Sequence, residues 1–166
     1  MDTIEALKKR RSVRELSDKS IPKNILEELV DVGRLAATAR NVQPWEFVVV
    51  TERGMLQKIA EIAETGRFIA GAGACIAVFC ADTKYYLEDG CAATQNILVG
   101  AAGLGIGSCW VAGDKKPYCP QICQMLGVPA TFKLISLIAL GYPAQETGSA
   151  QISKRALKEV IHWEKF

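Results

Sequence analysis

Between Gly90 and Gly113 the chain carries no charged side chain over about two dozen residues, enough to cross a membrane. The content of the run decides against a membrane span. Thr94, Gln95, Asn96 and Ser108 interrupt it, and Gly100, Gly103, Gly105 and Gly107 crowd its second half. The pattern predicts a buried helix over Tyr86 to Ala102 that feeds a glycine-rich turn. Such a helix must be covered by the rest of the protein. With 166 residues, 49% of them hydrophobic and 23% charged, the chain can bury a core without help from metal or disulfide. Twenty Lys and Arg against eighteen Asp and Glu leave a net charge of +2, too small an excess for a dedicated nucleic-acid binder. Mean hydropathy is +0.13, so part of the apolar surplus is expected in an interface between subunits.

Met1 to Glu5 shows no basic stretch leading into an apolar one, and the six cysteines include no CxxC pair. Both features predict a cytoplasmic protein with free thiols. No repeat or long linker divides the chain, and residues 1–166 read as a single domain whose end, 145–166, is a polar loop followed by an apolar tail.

Asp2 with Glu5 predicts the start of a short helix through Lys9. Ile21-Pro22-Lys23 opens a second, with Ile25, Leu26, Leu29, Val30 and Val32 on its apolar face. Phe47 to Thr51 reads as a buried strand, Met55 to Glu64 as a helix, and Cys75 to Cys80 as the next strand. Beyond the uncharged helix come a short strand over Cys109 to Ala112, a helix from Pro120 to Leu126 and a strand over Leu134 to Leu140. The amphipathic segment Ala156 to Phe166 carries Leu157, Val160, Ile161, Trp163 and Phe166, a tail suited to folding back or to embracing a second subunit.

Three stretches hold residues able to do chemistry. Lys8-Lys9-Arg10-Arg11-Ser12-Val13-Arg14 places five cations around a hydroxyl, as a phosphate requires and as a solvated helix end also provides. Asn41-Val42-Gln43-Pro44-Trp45 offers amides for the edge of a heterocycle, while Trp45 fits a core position better than a stacking one. Gly103 to Trp110 is spaced GxGxG and follows a helix, which excludes a dinucleotide-binding fingerprint but lets backbone approach a flat ligand. His162 is the one histidine and no G-x-S-x-G is present, so neither a catalytic triad nor a zinc site has support. Cys119 and Cys123 share helical spacing and read as ordinary thiols or as a redox pair. Binding groups without acid–base machinery suit a cofactor that brings its own reactivity.

Four pieces, in order, make the sequence resemble the nitroreductase family of flavin enzymes. Arg10-Arg11-Ser12-Val13-Arg14 is similar to the family's R-R-S-x-R, and Ala37 to Phe47 to its A/P-S-x-x-N-x-Q-P-W-x-F. Gly105 to Trp110 matches G-x-G-S-C-W, and Lys154-Arg155 with Val160 to Glu164 the C-terminal ending. The resemblance implies an α+β fold with a central, mostly antiparallel sheet flanked by helices. It also implies an intertwined homodimer with FMN at the subunit interface and the tail crossing to the partner. Carried over by position, Arg10, Arg11, Ser12 and Arg14, with Lys154 and Arg155, hold phosphate and ribityl oxygens. Thr38, Ala39 and Asn41 line the flavin from the other subunit. Trp110, Val111, Ala112 and Gly113 pass along the isoalloxazine, with one backbone N–H aimed at N5. Gly66 and Ile69 stand where larger relatives carry an Asn and a Lys on the pyrimidine edge.

The activity so implied takes hydride from NADH or NADPH and reduces a nitroaromatic, quinone or similar small acceptor by a ping-pong mechanism, with no catalytic side chain. Different chemistry on the same scaffold (ene reduction, dehalogenation, flavin fragmentation) and a flavin-binding carrier with negligible turnover are the alternatives.

Overall fold

A computed structural model describes residues 1–144 and 153–166. The expected loop over 145–152 therefore lies outside the described residues. Four strands form one sheet in the order β1-β2-β4-β3: β1 (Trp45–Val50), β2 (Ala74–Ala81), β3 (Gly107–Ala112) and β4 (Phe132–Gly141). All three pairings are antiparallel. Helices α1 (Thr3–Lys9), α2 (Lys23–Arg34) and α4 (Tyr86–Gly103) belong to one side, and α3 (Arg53–Ile62) and α5 (Cys119–Met125) to the other. The result is the α+β architecture expected from the sequence.

Local chemistry sets the boundaries. Asp2 accepts from the Glu5 amide at 2.9 Å and starts α1, while Glu52 accepts from the Gly54 and Met55 amides and starts α3. Helix α4 closes on Gly105, whose φ of +73° is open to glycine at little cost. Gly105 N–H donates to Ala102 and Ile106 N–H to Ala101, the paired bonds of a glycine-terminated helix. That turn delivers the chain directly into β3.

The core has two halves. Ile76, Val78, Ile138 and Leu140 face α2 and α4, whereas Ala77, Phe79, Leu134 and Leu137 face α3 and α5. Strand β2 is buried on both faces, as its near-continuous apolar run implies. Strand β1 departs from expectation: it is the sheet edge, Val49 is 39% exposed, and only its ends, Trp45 and Val50, are buried. A β-branched run reports half-burial as readily as full burial. Trp45 is a core residue, as its position before the strand suggested.

Helix α4 lies flat on the sheet. Ala93, Ile97 and Ala101 are fully buried, and the buried Thr94 hydroxyl is satisfied by the Gly90 carbonyl and by Ser136 Oγ, both at 2.8 Å. Ile135 is the extra residue of a bulge, because Ser136 pairs with Val78 and Leu134 with Phe79. A Cβ on Gly90 would sit 2.6 Å from Ile135 Cγ1 and 3.0 Å from Cys80 Sγ. Among the described residues no helix is long and apolar enough to cross a membrane.

Replacing Gly90 with Val should therefore lower the unfolding free energy by about 1–3 kcal/mol through overpacking, despite the better helix propensity of valine. Urea denaturation followed by far-ultraviolet dichroism measures this; an unchanged midpoint would contradict the close approach of α4.

Candidate functional site

The basic run of the N-terminus splits in two. Lys9 pairs with Glu5, and the Arg11 guanidinium turns back to the Lys8 and Arg10 carbonyls at 2.8 Å, so these cations close helix α1. From Arg10 the chain runs extended. Ser12 forms a parallel bridge with Ser108, Val13 N–H donates to the Ser108 carbonyl at 2.9 Å, and buried Leu16 bridges Pro143. Gly107 and Gly141 make room for Leu16, which a Cβ on either would meet at 3.0 Å.

Arg10, Ser12 and Arg14 alternate along this run and act together on the buried thiol of Cys109 in β3. Burial pushes that thiol above its ordinary range; the Arg14 charge, a Ser12 hydrogen bond and the Arg10 charge pull against it. The Arg14 guanidinium lies 5.8 Å from the centre of the Phe68 ring. Among the described residues neither Arg10 nor Arg14 has a carboxylate partner. Two such guanidiniums beside a hydroxyl, at the end of an open strand edge, make a donor set for a multiply charged oxyanion.

Register decides which β3 groups face outward. Gly113 N–H donates to the Ile135 carbonyl at 3.0 Å, so in this antiparallel pair Gly113, Val111 and Cys109 direct their backbone groups to β4. Trp110 and Ala112 direct theirs away from the sheet. Residues 110–113, a single group in the sequence reading, thus present only two N–H donors to a ligand at this edge. Two residues that the sequence did not single out for this stretch hold its end in place. The Tyr118 hydroxyl donates to the Ala112 carbonyl, and the Cys119 thiol donates to the Gly113 carbonyl at 3.0 Å.

Gly66 and Ile69 are both buried and cannot offer side chains to a ligand. A Cβ on Gly66 would lie 3.0 Å from Val111 Cγ1, and Ile69 is in the core. Both belong to the 3-10 segment Glu64–Gly71, which also supplies Phe68 under Arg14. This segment escaped the sequence reading because its apolar spacing is neither helical nor alternating.

Thr38, Ala39 and Asn41 lie in the turn before β1, fastened to α4. The Thr38 hydroxyl donates to Asp89 Oδ2 at 2.9 Å and Ala39 N–H donates to Asp89 Oδ1 at 3.1 Å. Gln43 N–H closes the turn onto Thr38 Oγ1 at 3.2 Å. Arg40, Asn41 and Gln43 all have φ between 52° and 55°, the left-handed region, which costs of order 1–3 kcal/mol for a non-glycine residue.

The two halves of the expected site are far apart in one chain. Ser12 bridges the start of β3, whereas the turn precedes β1 at the opposite edge and at the other end of the strands. The register puts them three strand spacings (~14 Å) apart across the sheet and about six residues (~20 Å) apart along it. Lys154 and Arg155 join neither half: residues 153–166 are all exposed, and Arg155 donates to the Glu159 carbonyl within the tail.

The six cysteines are free thiols, and no cluster of metal-ligating side chains occurs among the described residues. Cys119 and Cys123 both line a cavity of about 530 Å³ beside α5.

A family model described as the nitroreductase family matches residues 7–74 and 66–142. A protein of Archaeoglobus fulgidus named "Putative NADH dehydrogenase/NAD(P)H nitroreductase" is 35% identical, with 99% of each chain covered. An FMN-dependent nitroreductase of Clostridium difficile R20291 superposes with a TM-score of 0.90 at 26% identity, over 98% of this chain and 99% of that one. Iodotyrosine deiodinase 1 of Mus musculus is 25% identical over 95% of this chain and 67% of its own. The chain belongs to the nitroreductase family.

Burial raises the Cys75 and Cys80 thiols from 9.0 to about 12. Unfolded thiols ionise first, so their contribution is whole below pH 9.0 and is lost as pH rises towards about 12. Urea midpoints should fall across that window, and less steeply when Cys75→Ala and Cys80→Ala are combined. Equal slopes in the two proteins would show that these thiols are not the cause.

Proposed function

We propose that this protein is an FMN-dependent oxidoreductase working as a homodimer, with each flavin held by the basic segment and β3 of one protomer and the Thr38–Asn41 turn of the other. The carrying observation is the trio Arg10, Ser12 and Arg14, without a carboxylate partner among the described residues, at one end of a strand edge whose N–H groups at Trp110 and Ala112 point away from β4. When bound, FMN supplies the redox chemistry, accepting hydride from NADH or NADPH and passing electrons to a small acceptor such as a nitroaromatic or quinone in alternating half-reactions.

The chain's own groups divide the work. Arg10 and Arg14 neutralise the phosphate and Ser12 adds a neutral donor, with Lys154 and Arg155 approaching the same phosphate from the C-terminal end. Arg11 takes part only through its backbone, because its side chain is spent on α1. About 13 Å along β3 from Ser108, Ala112 presents an N–H away from the sheet, fixed in direction because Val111, whose carbonyl shares that peptide, is paired with Leu137 of β4. A preorganised donor there stabilises negative charge on a ring lying at the edge. Val111 and Gly113 hold the strand in place rather than touching the ligand by N–H.

Separation of the two half-sites supports the dimer, since one chain brings them nowhere near each other. The tail supports it too: Leu157 is 72% and Trp163 77% exposed, and no hydrogen bond or ion pair among the described residues ties 153–166 to the rest of the protomer. Beside the unpaired edge of β1 lies a groove of about 800 Å³ lined by Ile21, Leu26, Val30, Phe47 and Val49. An apolar tail from a second copy fits that groove and covers the edge. Residues 1–166 then form one domain with an arm.

Arg10→Ala combined with Arg14→Ala should abolish FMN retention on desalting while leaving the far-ultraviolet spectrum intact; full retention would remove the phosphate assignment. Ala112→Pro deletes an N–H that β4 does not use. It should keep FMN bound and slow anaerobic flavin reduction by NAD(P)H roughly 10²–10³-fold, measured by stopped flow. Leu157→Ser with Trp163→Ser should shift the protein to monomer in sedimentation velocity and weaken FMN binding; an unaltered dimer would exclude the tail from the interface.

A further inference from the structure

We infer that Asp89 is a positioning residue for the flavin site of the opposite protomer, holding residues 38–43 in the shape that reaches across the interface. The inference rests on the FMN reading above and adds to it a residue of α4 that is remote from the basic segment.

Asp89 is 5% exposed, and among the described residues no Lys or Arg pairs with it. Both of its carboxylate oxygens are used on the turn, one by the Thr38 hydroxyl at 2.9 Å and one by the Ala39 N–H at 3.1 Å. A buried carboxylate needs donors for its oxygens, and here the turn supplies both. The turn needs an anchor because its own backbone resists the shape. Three non-glycine residues, Arg40, Asn41 and Gln43, stand in the left-handed region. Packing does not supply the anchor: residues 40–43 are exposed, and a cleft of about 240 Å³ lined by Arg40, Val42, Lys84 and Tyr85 opens beside them. The Thr38 hydroxyl ties the turn together by donating to Asp89 and accepting from Gln43 N–H. Removing the carboxylate releases both contacts at once and leaves the sheet untouched. Since the turn lies far from the basic segment of its own chain, the flavin it serves is the partner's.

The test uses Asp89→Asn, which keeps shape but leaves one acceptor oxygen for two donors, the Thr38 hydroxyl and the Ala39 N–H. FMN affinity of the Asp89→Asn homodimer should fall roughly ten- to a hundredfold, with the far-ultraviolet dichroism of the flavin-free protein retained. Thr38→Val should act alike and Thr38→Ser should bind as wild type, so the hydroxyl can be examined even where the Asn variant folds poorly. The decisive arm is a heterodimer of an Asp89→Asn chain with an Arg10→Ala, Arg14→Ala chain, isolated through two different tags. If Asp89 acts across the interface, one of the two sites combines an intact basic segment with an intact turn, and half the sites regain wild-type affinity. No recovery would place Asp89 and the basic segment in the same site of one chain and overturn the inference, as would wild-type affinity in both the Asp89→Asn and Thr38→Val homodimers. A wild-type protein that binds no FMN would instead remove the functional reading itself.

Discussion

The packing of helix α4 on the sheet is the contact from which every part of the site hangs. Gly90 lets the helix settle against Ile135 and Cys80, and the fully buried stripe Ala93, Ile97 and Ala101 makes the fit one of shape rather than charge. At its start Asp89 holds the Thr38–Asn41 turn. At its end the Gly105 turn launches β3, whose edge carries the outward N–H groups of Trp110 and Ala112. Helix α1, packed along α4, brings the chain to Arg10 and the extended run that crosses Ser108. A helix without a charged face is the condition for all of this, because it has to be covered from several sides.

A division of labour among cations follows from the same geometry. In sequence the five basic residues between Lys8 and Arg14 form one cluster, which its residues alone read as a solvated helix end and the family resemblance as a phosphate cradle. In the fold the cluster divides, and only some of its members close the helix. Lys9 and Arg11 close α1, while Arg10 and Arg14 act on Cys109 beside Ser12, with no carboxylate partner among the described residues. The period of two in an extended chain performs the sorting, and it does so only because Leu16, seated between Gly107 and Gly141, holds the run against the sheet.

Much of the fold was legible in the sequence because its signals are local: the Asp2 cap, the apolar face of α2, the near-continuous apolar run of β2, and the long helix with its glycine stop. The edge position of β1 was not, since strand order depends on contacts between distant segments. At the site, motif order picked out 110–113 as one group but could not say which of its N–H groups face outward; that depends on pairing with Ile135 and Leu137. Asp89 left one usable signal. It stands at i, i+4, i+8 spacing with the buried Ala93 and Ile97, and an acid on an apolar stripe asks for a partner. The Glu64–Gly71 segment left none, its periodicity being broken at Gly66.

The most direct measurement is the visible absorption spectrum of the purified protein, taken before and after excess FMN and desalting. A flavin spectrum at about one per chain, bleached by NADH or NADPH without air, is the result required by a composite site built from two copies of this fold. A folded dimer that stays colourless after FMN addition would contradict it and return Arg10 and Arg14 to the status of solvated surface charge.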